Sequence, residues 1–406
     1  MQIADFDVLA SESVENPHEI YRLLREESPV HWDPKLEAFL VSRYEDVLAV
    51  LREPETFSSQ VGAMTQAPPD EAVAIIARGL PHVNTLITAD PPAHARYRSL
   101  VARAFTPRRV EKLRDHVTQI AHELVDGFCA AGEVELVGRF AAPLPLTVIA
   151  EQLGVPRSRI GDFKKWSDAF MDFIGGLASA ERSVECAEEI MECQAYFSAR
   201  IEEYRSKPQD DMLGVLLRAE LDGERPLNDA EMASILQQFM LAGNETSTAA
   251  IAATQHFLID QGDVLDELRR DRSLVPAVIE EIFRLETPVQ NMFRLSTREG
   301  EIAGVTIPAW TKIGVMFGAA NRDPSVFPDP ERIDPRRPNV REHLAFGHGN
   351  HYCVGAGLAR LESCVALEVV LDRLKGLRFA PGKNDFAHNP MFIARGLREL
   401  HMEFDA

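Results

Sequence analysis

The chain has 406 residues, of which 45% are hydrophobic and 26% charged, an ordinary globular composition that excludes collagen-like, disordered and disulfide-scaffold readings. With 43 Lys and Arg against 63 Asp and Glu, the formal net charge of −20 argues against broad binding to nucleic acid or anionic membranes. Cys129, Cys186, Cys193, Cys353 and Cys364 form no C-x-x-C pair, which argues against a disulfide framework and a four-thiolate metal site.

The opening segment, MQIADFDVLASESVENPHEI, has neither the basic nor the apolar region of a secretory signal. No run reaches the roughly 18 apolar residues of a spanning helix, so the expectation is a cytoplasmic protein without a membrane anchor. Short β-like segments are expected at residues 28–42, 293–316 and 376–404, and helical periodicity from about residue 105 to 270. Between Arg96 and Arg114 stand Arg96, Arg98, Arg103, Arg108, Arg109, Lys112 and Arg114 against a single acid, Glu111. Taken singly, each reads as a solvated helix residue; as a group they suit the docking of an acidic partner.

Asn228 and Glu231 resemble a capping box, and no proline follows before Asp260. A helix is therefore predicted over Asn228–Asp260, roughly 30 residues and about 50 Å long. Ile235, Leu236, Phe239, Met240 and Ile251 predict that it is largely buried. Yet its middle reads Ala242-Gly243-Asn244-Glu245-Thr246-Ser247, mostly poor helix formers beside a charge. One reading is a solvent-facing turn with a tolerated glycine. In the other, Gly243 leaves room for a flat group while the Glu245 carboxylate and Thr246 hydroxyl supply a proton path. Thr246 could also bond back to the Ala242 carbonyl and loosen the helix.

Further along, Glu281 and Arg284 stand three apart on one helical face, and five prolines between 324 and 338 rule out a regular helix there. The segment from Phe346 to Gly355 then runs into a buried-helix pattern at Ala356–Glu362. Cys353 sits just before the first turn, where unpaired N–H groups and the helix dipole favour a thiolate. Gly347, Gly349 and Gly355 permit a tight turn and the close approach of a bulky group. The other four cysteines read as small buried hydrophobes. A zinc site from His343, His348, His351 and Cys353, or a thiol-hydrolase pair of His351 and Cys353, is disfavoured by the close spacing. With no repeat and no long linker, one domain spanning residues 1–406 is expected.

The pattern Phe-Gly-x-Gly-x-His-x-Cys-x-Gly over residues 346–355 resembles the haem-binding signature of the cytochrome P450 family of haem-thiolate monooxygenases. Residues 242–247 resemble that family's oxygen-binding groove, with Glu245 where Asp is commoner, and Glu281 and Arg284 resemble its Glu-x-x-Arg pair. Ala320-Asn321-Arg322-Asp323-Pro324, with Phe327 and Pro330, resembles the meander before the haem loop, although Ile333 replaces the usual Phe. Asp90 to Arg98 is similar to the bacterial soluble members.

The resemblance implies a mainly α fold with a small β region, holding haem b between a long central helix and a Cys-bearing loop-helix. Cys353 would be the axial ligand of the iron, with Phe346, Gly347 and Gly355 around it. His94, Arg98, Arg294 and His351 would hold the propionates. Ala242, Gly243, Glu245 and Thr246 would form the O2 groove and deliver protons, and Glu281 with Arg284 would be a buried pair that reaches the meander. Leu241, Val289, Gln290, Asn291, Met292 and Phe392 would line the substrate pocket beside Met391 and Ile393, under a roof at Phe170 to Ile174. Gln290 and Asn291 either recognise a polar handle or bond local backbone. Electrons would pass from NAD(P)H through a reductase to a ferredoxin docked at Arg103, Arg108, Arg109 and Lys112. The implied reaction inserts one atom of O2 into an apolar small molecule, terpenoid, steroid-like or aromatic, with no nucleic-acid partner. Alternatives are a peroxide-driven peroxygenase, a haem-thiolate isomerase, or a haem-based sensor or carrier; the acid and alcohol at 245 and 246 favour the oxygenase.

Overall fold

The longest helix, Asp229–Asp260, begins where two residues satisfy each other's backbone. The Asn228 N–H donates to Glu231 Oε2 and the Glu231 N–H to Asn228 Oδ1, each at 2.9 Å, a complete capping box. This computed structural model describes residues 7–61, 68–175 and 178–405. The polar run at 242–247 does not break the helix. Within it Ala242 is exposed, Gly243, Glu245 and Thr246 are half-buried like Leu241 before them, and Asn244 and Ser247 are buried, as are Met240 and Ala249 to Ala253.

Two compact units divide the chain, one comprising residues 1–58, 110–145 and 245–406 and the other residues 59–109 and 146–244. The division falls inside the long helix, between Asn244 and Glu245.

All strands among the described residues belong to the first unit. Its main sheet has the strand order Val30–Asp33, Ala38–Val41, Lys312–Val315, Met292–Ser296, Phe57–Ser58. Ala38–Val41 and Lys312–Val315 run parallel, Ala38 opposite Lys312 and Val41 opposite Val315, and the remaining pairs are antiparallel. One face buries Val41, Val47, Leu51, Ile313, Val315 and Phe327. A second sheet places His401–Asp405 between Glu133–Glu135 and Lys375–Phe379, and Gly300–Ile302 pairs with Val305–Ile307 as a hairpin. Val275–Glu286 and Arg114–Asp126 pack on Ala356–Arg373, which is apolar on most of its circumference and accordingly buried.

In the second unit, Ala180–Ser206 starts at Ser179, whose hydroxyl accepts the Arg182 N–H at 3.2 Å. It packs on Ile160–Gly175 and Asp70–Ile76, with Phe173 beside Ala72, Ile75 and Ala187. Among the described residues, no helix is long and apolar enough to cross a membrane.

Candidate functional site

In the first unit, the segment from Phe346 to Gly355 folds back on itself before its helix begins. Gly347 and Gly349 adopt φ of +69° and +66°, a region that side-chain-bearing residues rarely enter. The Cys353 N–H donates to the Phe346 carbonyl at 2.8 Å, closing the turn and leaving the half-buried Cys353 just ahead of Ala356–Arg373. A Cβ on Gly355 would lie 3.9 Å from the Cys353 Sγ, in ordinary contact with it, so the glycine borders the sulfur. Phe346 is buried against Phe283, ring centroids 4.6 Å apart. His343 is unavailable to a metal: Nε2 pairs with Glu280 at 3.0 Å while Nδ1 accepts the Ala345 N–H at 3.2 Å. The zinc alternative fails on that geometry.

The turn is fixed from behind by a buried polar framework. Glu281 and Arg284 form a doubly bonded pair, at 2.8 and 3.0 Å, with both side chains fully buried. Arg284 also donates to the carbonyls of Asn321, Pro330 and Arg332 and lies over the Phe327 ring. Arg337 supplies a third member, its Nε 3.0 Å from Glu281 Oε1. Asn321 continues the framework to the cysteine turn, its Oδ1 accepting the Leu344 N–H at 2.6 Å.

The segment from Pro288 to Met292 is zipped to residues 391–395. Val289 bridges Ala394, the Gln290 N–H bonds the Ile393 carbonyl, and Asn291 Nδ2 donates to the Phe392 carbonyl at 2.7 Å. This brings together Val289, Asn291 and Phe392, with Met292 half-buried beside them. Gln290 is no polar handle: its Nε2 donates to the carbonyls of Glu286 and Thr287 and its Oε1 accepts from Tyr21 at 2.7 Å, so every polar atom is engaged internally. The late turn approaches the long helix closely, because a Cβ on Gly396 would come within 3.0 Å of the Ala249 Cβ. Arg294 is buried on the strand Met292–Ser296, opposite Ile313, with Nη1 2.8 Å from the Phe293 carbonyl. His351 is half-buried at the end of the short helical turn Gly349–His351. In the same unit, Ser247 on the long helix donates to Glu362 at 2.8 Å.

The second unit holds His94 and Arg98, on the helix Ala93–Ala102, and the first part of the polar run. Arg96 and Tyr97 tie that helix to Glu231, each 3.0 Å from Oε1, and Arg225 adds two more bonds to the same carboxylate. Burial alone would raise the Glu231 pKa, but the Arg225 bonds, the Asn228 N–H and the remaining donors hold it at about 2. His94 is buried, and burial followed by the Arg98 charge lowers its pKa, against a weaker pull from Asp90. Gly243 departs from the sequence expectation of room for a flat group. A Cβ there would meet Ile149 Cγ1 at 3.1 Å, so the glycine serves a close contact with the helix Pro143–Gln152.

The basic segment is thinner than its composition implies. Arg96 is drawn to Glu231 and Glu224, Arg109 pairs with Asp210 at 2.7 Å, and Arg114 pairs with Glu111 at 2.6 Å. Arg103, Arg108 and Lys112 are exposed.

Sequence reasoning misses the roles of Arg337, Asn321, Glu280 and Glu362, because single polar residues in loops or buried helices carry no periodic signal. The donor chemistry fits the group implied by the cysteine motif. A half-buried cysteine just ahead of a helix start, with glycine two residues on, suits a soft metal centre in a bulky planar ligand. Arg294, buried in the same unit, carries a forked cation that suits a carboxylate on such a ligand.

Comparison with known proteins agrees with this chemistry. The family model described as Cytochrome P450 matches residues 159–385. Cytochrome P450 107B1 of Saccharopolyspora erythraea is 37% identical over 404 residues, covering 97% of each chain. The Steroid C26-monooxygenase of Mycobacterium tuberculosis is 34% identical over 384 residues, covering 95% of this chain and 92% of that one. Among solved structures, cytochrome P450 CYP109Q5 from Chondromyces apiculatus superposes with a TM-score of 0.87 at 37% identity, covering 100% of this chain and 99% of that one.

Proposed function

The chain belongs to the cytochrome P450 family and is a monooxygenase of that family, and on that premise we propose that it binds haem b through Cys353 and oxidises a neutral, compact lipophile with electrons from a separate ferredoxin. We take residues 1–406 as one catalytic domain, since a single helix runs through the division between its two units. The observation that carries the reading is Cys353 itself: a half-buried cysteine held by a backbone bond to Phe346 in a turn built on two left-handed glycines.

His94, Arg98, Arg294 and His351 would hold the propionates, and Gly347 and Gly355 would leave space beside the sulfur. Bound there, haem supplies the iron at which O2 is reductively activated. The chain's part is to bind, orient and deliver protons. Glu245 and Thr246, half-buried on the long helix, are the acid and alcohol that would deliver protons.

The substrate class follows from what lines the wall. Val289, Met292 and Phe392 are apolar, Gln290 is internally bonded, and Asn291 gives its Nδ2 to backbone, leaving its buried Oδ1 as a single acceptor on an otherwise apolar wall. Apolar burial contributes about 25 cal/mol per Å², so a terpenoid, steroid-like or aromatic compound fits better than a sugar or amino acid. The similarity to a steroid C26-monooxygenase supports the same size class. Arg103, Arg108 and Lys112 are the exposed charges that would receive an acidic ferredoxin.

The test is the reduced CO complex of the haem-loaded protein. The parent should show the strongly red-shifted Soret band of a thiolate ligand, and Cys353→Ser should lose it together with all monooxygenation. Retention of that band in the variant overturns the assignment.

A further inference from the structure

Arg360 lies in the second turn of the helix Ala356–Arg373, and its side chain reaches back to the cysteine turn. Its guanidinium is engaged on three sides. Nε and Nη2 donate to the two oxygens of Glu280 at 2.6 and 2.9 Å. Nη1 donates to the Tyr352 hydroxyl, on the cysteine turn, at 3.1 Å. The guanidinium carbon sits 4.3 Å from the Phe346 ring centroid.

Glu280 is buried and also bonds His343 at 3.0 Å. Burial would raise its pKa, but His343 and Arg360 hold it at about 2, so the pair with Arg360 is a fixed ionic one. Bidentate bonds of this kind are directional as well as strong, and a cation over an aromatic face adds to them.

We propose that Arg360 is a positioning residue for Cys353, holding the turn on both sides of the sulfur through Tyr352 and Phe346. Tyr352 is the residue before Cys353, and Phe346 supplies the carbonyl that accepts the Cys353 N–H. Phe346 is further enclosed by Phe283 and His343, at 4.6 and 5.7 Å between ring centroids, so its backbone has little room to drift while Arg360 is in place. The inference rests on the reading of Cys353 as the haem ligand.

The experiment follows the reduced CO complex of the haem-loaded protein over time in the parent, Arg360→Lys and Tyr352→Phe. Lysine keeps the charge but not the fork, and phenylalanine removes only the hydroxyl. Conversion of the red-shifted thiolate band to the shorter-wavelength band of a lost thiolate should be severalfold faster in Arg360→Lys and measurably faster in Tyr352→Phe. Arg373→Lys, which alters the pairing with Asp126 at the far end of the same helix, should leave that conversion at the parent rate. Conversion at the parent rate in both test variants overturns the proposal. Should Arg360→Lys fail to fold, the Tyr352→Phe rate decides alone. A parent that never shows the red-shifted band defeats the Cys353 reading itself, which is a different result.

Discussion

The Ser247 hydroxyl donates to the Glu362 carboxyl at 2.8 Å, joining the long helix to the helix that follows Cys353. Glu362 is buried, and burial lifts its pKa to about 8 despite the opposing Ser247 bond. The folded state therefore keeps a proton that the unfolded chain releases near 4.5. Stability from this group is complete below about 4.5 and declines as pH rises toward 8. Glu362→Gln should match the parent in denaturant unfolding at low pH and exceed it at pH 8, by on the order of a few kcal/mol. Parallel pH profiles for the two proteins would show that Glu362 is ionised in the fold.

Gly243 and Ile149 should behave as a coupled pair. Alanine is a better helix former than glycine by about 1 kcal/mol, but the new methyl would stand 3.1 Å from Ile149 Cγ1. Gly243→Ala alone should bring no gain in stability. In an Ile149→Ala background the same change should stabilise by about 1 kcal/mol, a non-additivity that thermal unfolding of the four proteins measures.

Thr246→Ala should keep oxygen consumption while diverting it to peroxide, lowering product formed per NAD(P)H, because the hydroxyl no longer orders proton arrival. Fully coupled turnover in the variant would remove Thr246 from the proton path.

Charge reversal at Arg103, Arg108 and Lys112 should slow reduction by an acidic ferredoxin while leaving substrate affinity unchanged. Reversal at Arg109 should matter less, since Asp210 already partners it. Rising salt should shrink the difference, as screening requires. Equal reduction rates at low salt would move the donor elsewhere.

The long helix is legible in the sequence because its capping box and proline-free run are local signals, and the cysteine turn because three glycines and a thiol crowd ten residues. Strands Phe57–Ser58 and Glu133–Glu135 are not, being too short to establish an alternation. The purpose of Gly243 escapes sequence reading for a different reason: its neighbour Ile149 is almost a hundred positions away, and spacing carries no record of that contact. Gln290 stays ambiguous in the sequence because Tyr21, which fills its acceptor, comes from the other end of the chain. Basic residues counted along the sequence also overstate the exposed charge, because the acids that neutralise Arg96 and Arg109 come from distant segments.

The main sheet ends in two short margins. Phe57–Ser58 offers only two residues, and Val30–Asp33 stops where the Asp33 carboxylate accepts the N–H groups of Lys35 and Leu36 and turns the chain away. A neighbouring molecule seeking to add a strand would find few successive backbone groups to pair with. Both margins of the main sheet are thus poor templates for strand addition from another molecule, so the pairing that builds this sheet is confined to the chain's own strands.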